Sequence, residues 1–412
     1  MRDDVAAKLG PPPETLRRAG RLNPSGILAF YAAFDVETCV AELRPPVGGS
    51  VASAQFELTA PIYVLDTTRF LEGPSAVNLF APRSVERRRQ FQFMQLFMQQ
   101  IAKPVAADAD GRIARIQTPG GTGALRLALQ IIAEANPDAG VWIATPTWPA
   151  HLPLVSACGL RVETYDHLDA AGRFNAPALD DVLRRAAPGD VLLLHGCCHN
   201  PTGVDLPLDA WRQVVARAAE AGLLPLMDLA YPGLGDGVEA DLQGVRLLLE
   251  ACPNALVALS CSKSFGLYWD RAGMLLGLTA TRQAAANFGA VAASLARLLW
   301  SNPPDHGAAV VRTVLASPEL ARAWRLELDE MRQRVQGLRA GLAALPLRRI
   351  DLSSLQRQRG MFALLPLTPD DVRDLREEHA VYMDVSGRIN VAGLNPDNVE
   401  RFAEALSGLD RR

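Results

Sequence analysis

The 412-residue chain carries 42 basic and 45 acidic side chains, a formal net charge of -3, with 49% hydrophobic and 21% charged residues. A chain of that length outgrows a single hydrophobic core, and its near-neutral balance supplies no global field for a nucleic-acid backbone or an anionic membrane. The opening stretch MRDDVAAKLGPPPETLRR has no apolar signal segment, and no uncharged apolar run long enough to cross a bilayer occurs later, so a cytoplasmic protein is expected.

Pro11 to Pro13 punctuate a helix near the start, VGGSVAS from Val47 is a loop, and VERRRQFQFMQLFMQQIAKP from Val85 is a helix that ends near Pro104. Its run Arg87, Arg88, Arg89 is read as a solvated helix face. From about residue 113 to 280 one pattern repeats, a short apolar run followed by a turn and an amphipathic helix. The predicted strands are VWIAT from Val141, RVETY from Arg161, VLLLHG from Val191, LLPLMDLAY from Leu223, LVALSCS from Leu256 and GMLLGLTA from Gly273. Several are apolar almost throughout, as a mostly parallel sheet with helices on both faces demands. Between them, TGALRLALQIIAEA from Thr122 sets Leu125, Ala128, Ile131 and Ile132 at three-to-four spacing, and DAWRQVVARAAEAG from Asp209 offers Trp211, Val214, Val215 and Ala218. An α/β core follows.

A helix from about Pro318 to Ala344 is long enough to leave one domain and enter another, and Leu345 opens a second, smaller α/β unit. That unit reads as MFALLPL from Met361, a helix over TPDDVRDLREEHA from Thr368, a short VYMD strand, SGRINVAGL from Ser386 and a helix over NPDNVERFAEALSG. In this last helix Asn395 is placed to cap, Pro396 in the first turn and Gly408 at the stop. The cysteines, at 39, 158, 197, 198, 252 and 261, include no CxxC pair, so free thiols are expected. Adjacent Cys197 and Cys198 are poor geometry for a shared tetrahedral metal, and no metal is assigned.

Three clusters sit at the ends of predicted strands, where an open α/β sheet places its ligand. In QTPGGTGALR, Gly120, Gly121 and Thr122 open a helix whose free N–H groups attract an anion such as phosphate. The spacing matches neither GxGxxG nor GxxxxGK[ST], and taken alone the string is a turn and helix cap. In SCSKSFGLYWDRAG, Ser260, Ser262, Lys263 and Arg271 gather beside glycines after an apolar strand. There burial can favour the neutral lysine amine that attacks an aldehyde. In MDLAYPG, Asp228 is either a loop carboxylate or the partner of a pyridine nitrogen, and Tyr231 could donate to a cofactor phenolate.

With ATPTWPAH, LLHGCCHNPTG, SNPPDHG and SGRINVAG added in order, the chain resembles fold-type I pyridoxal-phosphate enzymes, specifically the class I aspartate and aromatic aminotransferases, over roughly residues 113 to 404. The resemblance implies an α/β fold with a large domain built on a mostly parallel seven-stranded sheet plus a smaller α/β domain. It implies a division into an N-terminal segment at 1–50 contributing to the small domain or a lid, a cofactor-binding domain at 51–330, and a small domain at 331–412. It places Lys263 as Schiff-base lysine and proton carrier, Asp228 against the pyridine nitrogen, and Tyr231 and Asn200 at the ring oxygen. Gly121, Thr122, Ser260, Ser262 and Arg271 form the phosphate cup, Trp148 stacks over the ring and His151 supports it from behind. Taken alone, Trp148 would be a core aromatic and His199 a satisfied structural histidine, and the latter reading is retained. Arg388 fixes the substrate α-carboxylate, and Arg297 matches an arginine that grips a distal carboxylate across a homodimer, its plainer reading being a helix-surface residue.

Departures concentrate before residue 113, where no INLGIGVY-like lid and no YLG-like phosphate tyrosine are found. The tyrosine's position falls near Asn78, and Tyr63 or Tyr31 would need another path to replace it. Trp300 stands where relatives often have tyrosine. The expected activity is transfer of an amino group from aspartate, glutamate or an aromatic L-amino acid to a 2-oxo acid such as 2-oxoglutarate. The rebuilt N-terminal region keeps open a Cα or β/γ-substitution reaction on the same cofactor.

Overall fold

The computed structural model describes residues 111–410. All described residues belong to one compact unit, Ala107–Arg412. The readings made for residues 1–110, including the helix from Val85 and the positions Tyr31, Tyr63 and Asn78, lie outside the described residues.

Nine described strands are β1 (Ile113–Pro119), β2 (Gly140–Thr145), β3 (Arg161–Asp166), β4 (Val191–His195), β5 (Leu224–Leu229), β6 (Ala255–Ser260), β7 (Ala272–Leu278), β8 (Phe362–Leu364) and β9 (Arg388–Asn390). The first seven form one sheet in the order β1-β7-β6-β5-β4-β2-β3. β3, β2, β4, β5 and β6 run parallel, and β7 is antiparallel to both β6 and β1. Alternate residues of each central strand enter opposite cores. Leu192, Leu194, Met227 and Val257 face one, and Val191, Leu193, Leu226 and Ala258 the other. Every residue of β4 is buried, which explains why VLLLH shows no polar alternation.

The helices covering the sheet are α1 (Gly120–Ala135), α2 (His151–Ser156), α3 (Ala176–Arg185), α4 (Leu208–Ala221), α5 (Val238–Asp241), α6 (Gln243–Ala251) and α7 (Arg282–Trp300). α1 presses Leu125, Ala128 and Ile132 into one core, and α4 presses Trp211, Val214, Val215 and Ala218 into the other. α8 (Asp305–Ala316) leads to α9 (Pro318–Ala343), whose 26 residues span about 39 Å at 1.5 Å per residue. Ser317 accepts from Leu320 N and Pro318 fits the first turn, so its start follows the expected chemistry. Leu328 of α9 joins a sheet core, while Val335 and Leu342 join a third.

That third core also takes Leu352, Ala363, Val391, Leu375 of α10 (Pro369–His379) and Phe402 and Leu406 of α11 (Val399–Asp410). β8 and β9 pair antiparallel, Leu364 opposite Arg388. Three local expectations are corrected. VYMD forms no strand, and Tyr382 is exposed. The last helix starts at Val399 rather than at Pro396, because Asn395 and Asn398 close a turn first, Asn395 N donating to Asn398 Oδ1 at 2.8 Å. Gly408 lies inside the helix, where a Cβ would stand 3.1 Å from the His379 ring, so it serves close packing instead of a stop. Among the described residues no helix is long and apolar enough to cross a membrane.

Candidate active site

The C-terminal ends of the central strands meet at one level, with His195 of β4 in register with Asp228 of β5, and Asp228 with Ala258 of β6. Beyond β6 the chain makes a compact turn, held by Cys261 N donating to Ala272 O at 3.0 Å and Gly266 N to Lys263 O at 3.2 Å. Lys263 leaves this turn toward the sheet and sets its Nζ 4.9 Å from the centroid of the Tyr231 ring. Burial lowers the Lys263 amine from its ordinary value, Asp228 opposes this and Arg271 assists it, leaving a net downward shift.

Because β1 pairs with β7, the start of α1 lies beside Arg271. Gly120 adopts φ +76°, and a Cβ there would stand 2.3 Å from Arg271 Nη2. A Cβ on Gly121 would stand 2.9 Å from Ser260 Cβ, and one on Gly273 2.4 Å from the Gly120 carbonyl carbon. Only glycines let these segments close together. The N-terminus of α1 has no side-chain cap. Its first-turn N–H groups, with Thr122, Ser260, Ser262 and Arg271 around them, form a cup for an anion. Arg271 Nη1 donates to Tyr268 O at 3.0 Å and to Ser262 Oγ at 3.4 Å, which fixes the guanidinium over the cup.

Asp228 is 6% exposed, and its Oδ2 lies 3.1 Å from Nε2 of the fully buried His151. Burial pushes the Asp228 carboxyl up, but the His151 hydrogen bond and the potential of His151 and Lys263 outweigh it and hold the carboxyl below its ordinary value. Thr147 Oγ1 bridges His151 Nδ1, at 2.8 Å, to His195 Nε2, at 3.2 Å. His195 continues the column to His199, and His199 stacks on His167 with centroids 3.7 Å apart. Burial, reinforced by His151, pushes His195 down to about 3, so it stays neutral behind the carboxylate. His199 also bonds Thr202 Oγ1 at 2.9 Å, while its Nε2 is buried without a partner.

Asn200 Nδ2 donates to the Tyr231 hydroxyl at 3.2 Å, and the buried Asn200 Oδ1 has no partner. Burial, then the negative charge of Asp228, raises the Tyr231 phenol, so it remains a donor. Gly121, Thr122, Trp148, Asn200, Asp228, Tyr231, Ser260, Ser262, Lys263 and Arg271 all line one cavity of about 130 Å³. Arg388 does not line it, but its guanidinium sits 4.3 Å above the Phe362 ring, which makes a T-shaped contact with Tyr231, and its buried Nε has no partner. Arg297 stands exposed on the last turn of α7 and outside the cavity wall of this chain. Leu125, His195, Ala230 and Tyr268 complete the wall and escape sequence reasoning; Tyr268 lay within the SCSKSFGLYWDRAG string without being singled out.

These groups fit pyridoxal phosphate. The glycine-lined cup suits a phosphate, the buried carboxylate suits a protonated ring nitrogen, the orphaned Asn200 amide suits a ring oxygen, and the depressed amine suits an aldehyde. Among the described residues, Cys197, Cys198 and Asp241 come close enough to share an ion. The Asp241 carboxylate, however, already accepts from Gly233 N, Gly235 N and Asp236 N.

The family model described as aminotransferase class I and II matches residues 88–406, and a RES domain model matches residues 3–152. Tyrosine aminotransferase of Rhizobium meliloti (strain 1021) is 46% identical over 318 residues, 76% of this chain and 82% of that protein. Aspartate aminotransferase of Salmonella typhi is 42% identical over 302 residues, 72% of this chain and 76% of that protein. The crystal structure of aromatic-amino-acid aminotransferase from Burkholderia pseudomallei, covalently bound to pyridoxal phosphate, superposes with a TM-score of 0.71 at 40% identity, covering 76% of this chain and 80% of that one.

Proposed function

Because the chain belongs to the class I and II aminotransferase family, we propose that its cavity residues carry out pyridoxal-phosphate-dependent transfer of an amino group from an aspartate-, glutamate- or aromatic-type L-amino acid to a 2-oxo acid such as 2-oxoglutarate. The observation that carries this reading is the convergence of Lys263, Asp228 and Arg271 on one cavity at the strand ends.

When bound, the cofactor supplies an aldehyde that takes up the amino group and a protonated ring that accepts electrons from the substrate Cα. Gly121, Thr122, Ser260, Ser262 and Arg271 hold its phosphate. Asp228, kept ionised by His151 and its neighbours, holds the proton on the ring nitrogen. Tyr231 and Asn200 hydrogen-bond the ring oxygen, and Trp148 covers the ring face. Arg388 takes the substrate α-carboxylate as a planar two-pronged donor. Lys263 Nζ, its amine shifted down by burial, would take and carry the substrate Cα proton.

A homodimer accompanies this reading, with Arg297 reaching the partner's site to bind a distal carboxylate. The division at 1–50, 51–330 and 331–412 and a cytoplasmic location belong to the same proposal. Purified protein is mixed with L-aspartate, L-glutamate, L-phenylalanine, L-tyrosine and L-tryptophan while cofactor absorbance is followed. Conversion to the amine form with at least one donor is expected, and failure with all five overturns the substrate range.

A further inference from the structure

Arg339 lies in the second half of α9, is 1% exposed, and has no carboxylate within ion-pair distance among the described residues. A buried guanidinium is costly unless its donors are filled; Asp205 favours its charge only at a distance, without an ion pair, and the donors go to neutral acceptors on one short segment. Nε donates to Gly360 O at 3.2 Å, Nη1 to Gln358 Oε1 at 3.1 Å, and Nη2 to Arg359 O at 3.1 Å, to Gly360 O at 2.9 Å and to Phe362 O. Burial lowers Arg339 to about 10, which still leaves it a full cation at neutral pH.

The gripped segment touches the site from two sides. Arg359 N donates to Gly203 O at 2.8 Å, tying it to the loop that carries Asn200. Gly360, at φ +81°, presses against Cys198, where a Cβ would stand 2.4 Å from Cys198 Cβ. Two residues on, the Phe362 ring lies beneath the Arg388 guanidinium at 4.3 Å and T-shaped to Tyr231, with ring centroids 6.3 Å apart. β8 and β9 are only three residues each, so their ladder alone is a weak frame for this stack.

We infer that Arg339 is a positioning residue for substrate binding: its clamp on the Arg359, Gly360 and Phe362 carbonyls sets the Phe362 ring as the shelf that aims Arg388 at the substrate α-carboxylate. The inference rests on Arg388 being the carboxylate anchor. Lysine at 339 would keep the charge but replace a planar fork of five donors with three donors on a point charge, so the carbonyls could not all be held.

The test uses full-length, cofactor-loaded protein. Arg339→Lys is expected to raise KM for both L-phenylalanine and L-aspartate about tenfold while kcat changes less than about threefold, the pattern of lost uniform binding. Affinity for 3-phenylpropionate, an unreactive carboxylate read by its effect on cofactor absorbance, should weaken by the same factor. Phe362→Leu, which leaves the clamp intact and removes the shelf, should do likewise, and it carries the test alone if Arg339→Lys does not fold. KM and 3-phenylpropionate affinity within about twofold of wild type in the folded variants overturn the inference, as does a kcat loss at unchanged KM. Arg388→Lys separates the two readings. If it leaves 3-phenylpropionate binding unchanged, the anchor itself is wrong; if it weakens binding while the other two variants do not, only the role of Arg339 is wrong.

Discussion

Asp228→Asn removes one charge from the centre of the site with almost no change in shape. The residue is 6% exposed, so solvent does not screen it, and its neighbours keep it ionised in spite of burial. Removing one partner of a buried, hydrogen-bonded charge pair costs about 3–5 kcal/mol. At 1.36 kcal/mol per tenfold in rate, the amino-donor half-reaction should slow by roughly two to nearly four orders of magnitude. The phosphate cup is built from other elements, so the cofactor should still bind at one per chain. Stopped-flow absorbance after mixing with saturating L-aspartate or L-phenylalanine reads the rate directly. A loss of less than about tenfold, with the cofactor fully retained, refutes the electrostatic role assigned to Asp228.

Burial depresses the Lys263 amine below its ordinary 10.5, so in cofactor-free protein its acylation should rise with pH to a midpoint below 10.5; peptide mapping that places the midpoint at or above 10.5 contradicts this. Gly273→Ala drives a Cβ to 2.4 Å from the Gly120 carbonyl carbon. Overpacking of about 1–3 kcal/mol there should weaken cofactor affinity by about fivefold to a little over a hundredfold, and an unchanged affinity in fluorescence titration counts against the cup. The Asp371 carboxyl is held down to about 2 by Arg349 first and then, against burial, by Thr368. Because its folded value is depressed, its stabilisation is present above its ordinary 3.8 and is lost as pH falls toward about 2. Asp371→Ala should therefore cost about 1 kcal/mol at pH 7 through the lost capping box, the gap narrowing as pH falls below 3.8 and through about 2; equal denaturation midpoints at pH 7 contradict it.

The central strands were legible because both faces are buried, which leaves apolar runs without alternation. β1 escaped because it is an edge strand: IARIQTP carries the exposed Arg115 and only one fully buried residue. VYMD looked like a strand by residue type, yet no neighbouring strand pairs with it among the described residues. Lys263, Asp228, Asn200 and Arg271 were readable because each sits in a continuous string with recognisable neighbours. His195 was not, since a lone histidine ending an apolar strand reads as core until its register with Asp228 is known. Arg339 looked like any polar residue on a long helix, and only contacts with a segment about twenty residues away reveal its burial. The missing INLGIGVY-like and YLG-like strings accord with the RES domain match over residues 3–152.

Borohydride reduction of the cofactor-loaded protein, followed by proteolysis and mass spectrometry, asks most directly whether this cavity is the catalytic centre. The cofactor should be fixed to the peptide containing Lys263 and to no other lysine. Attachment elsewhere, or none in protein that still shows the bound-cofactor absorbance, would contradict the site.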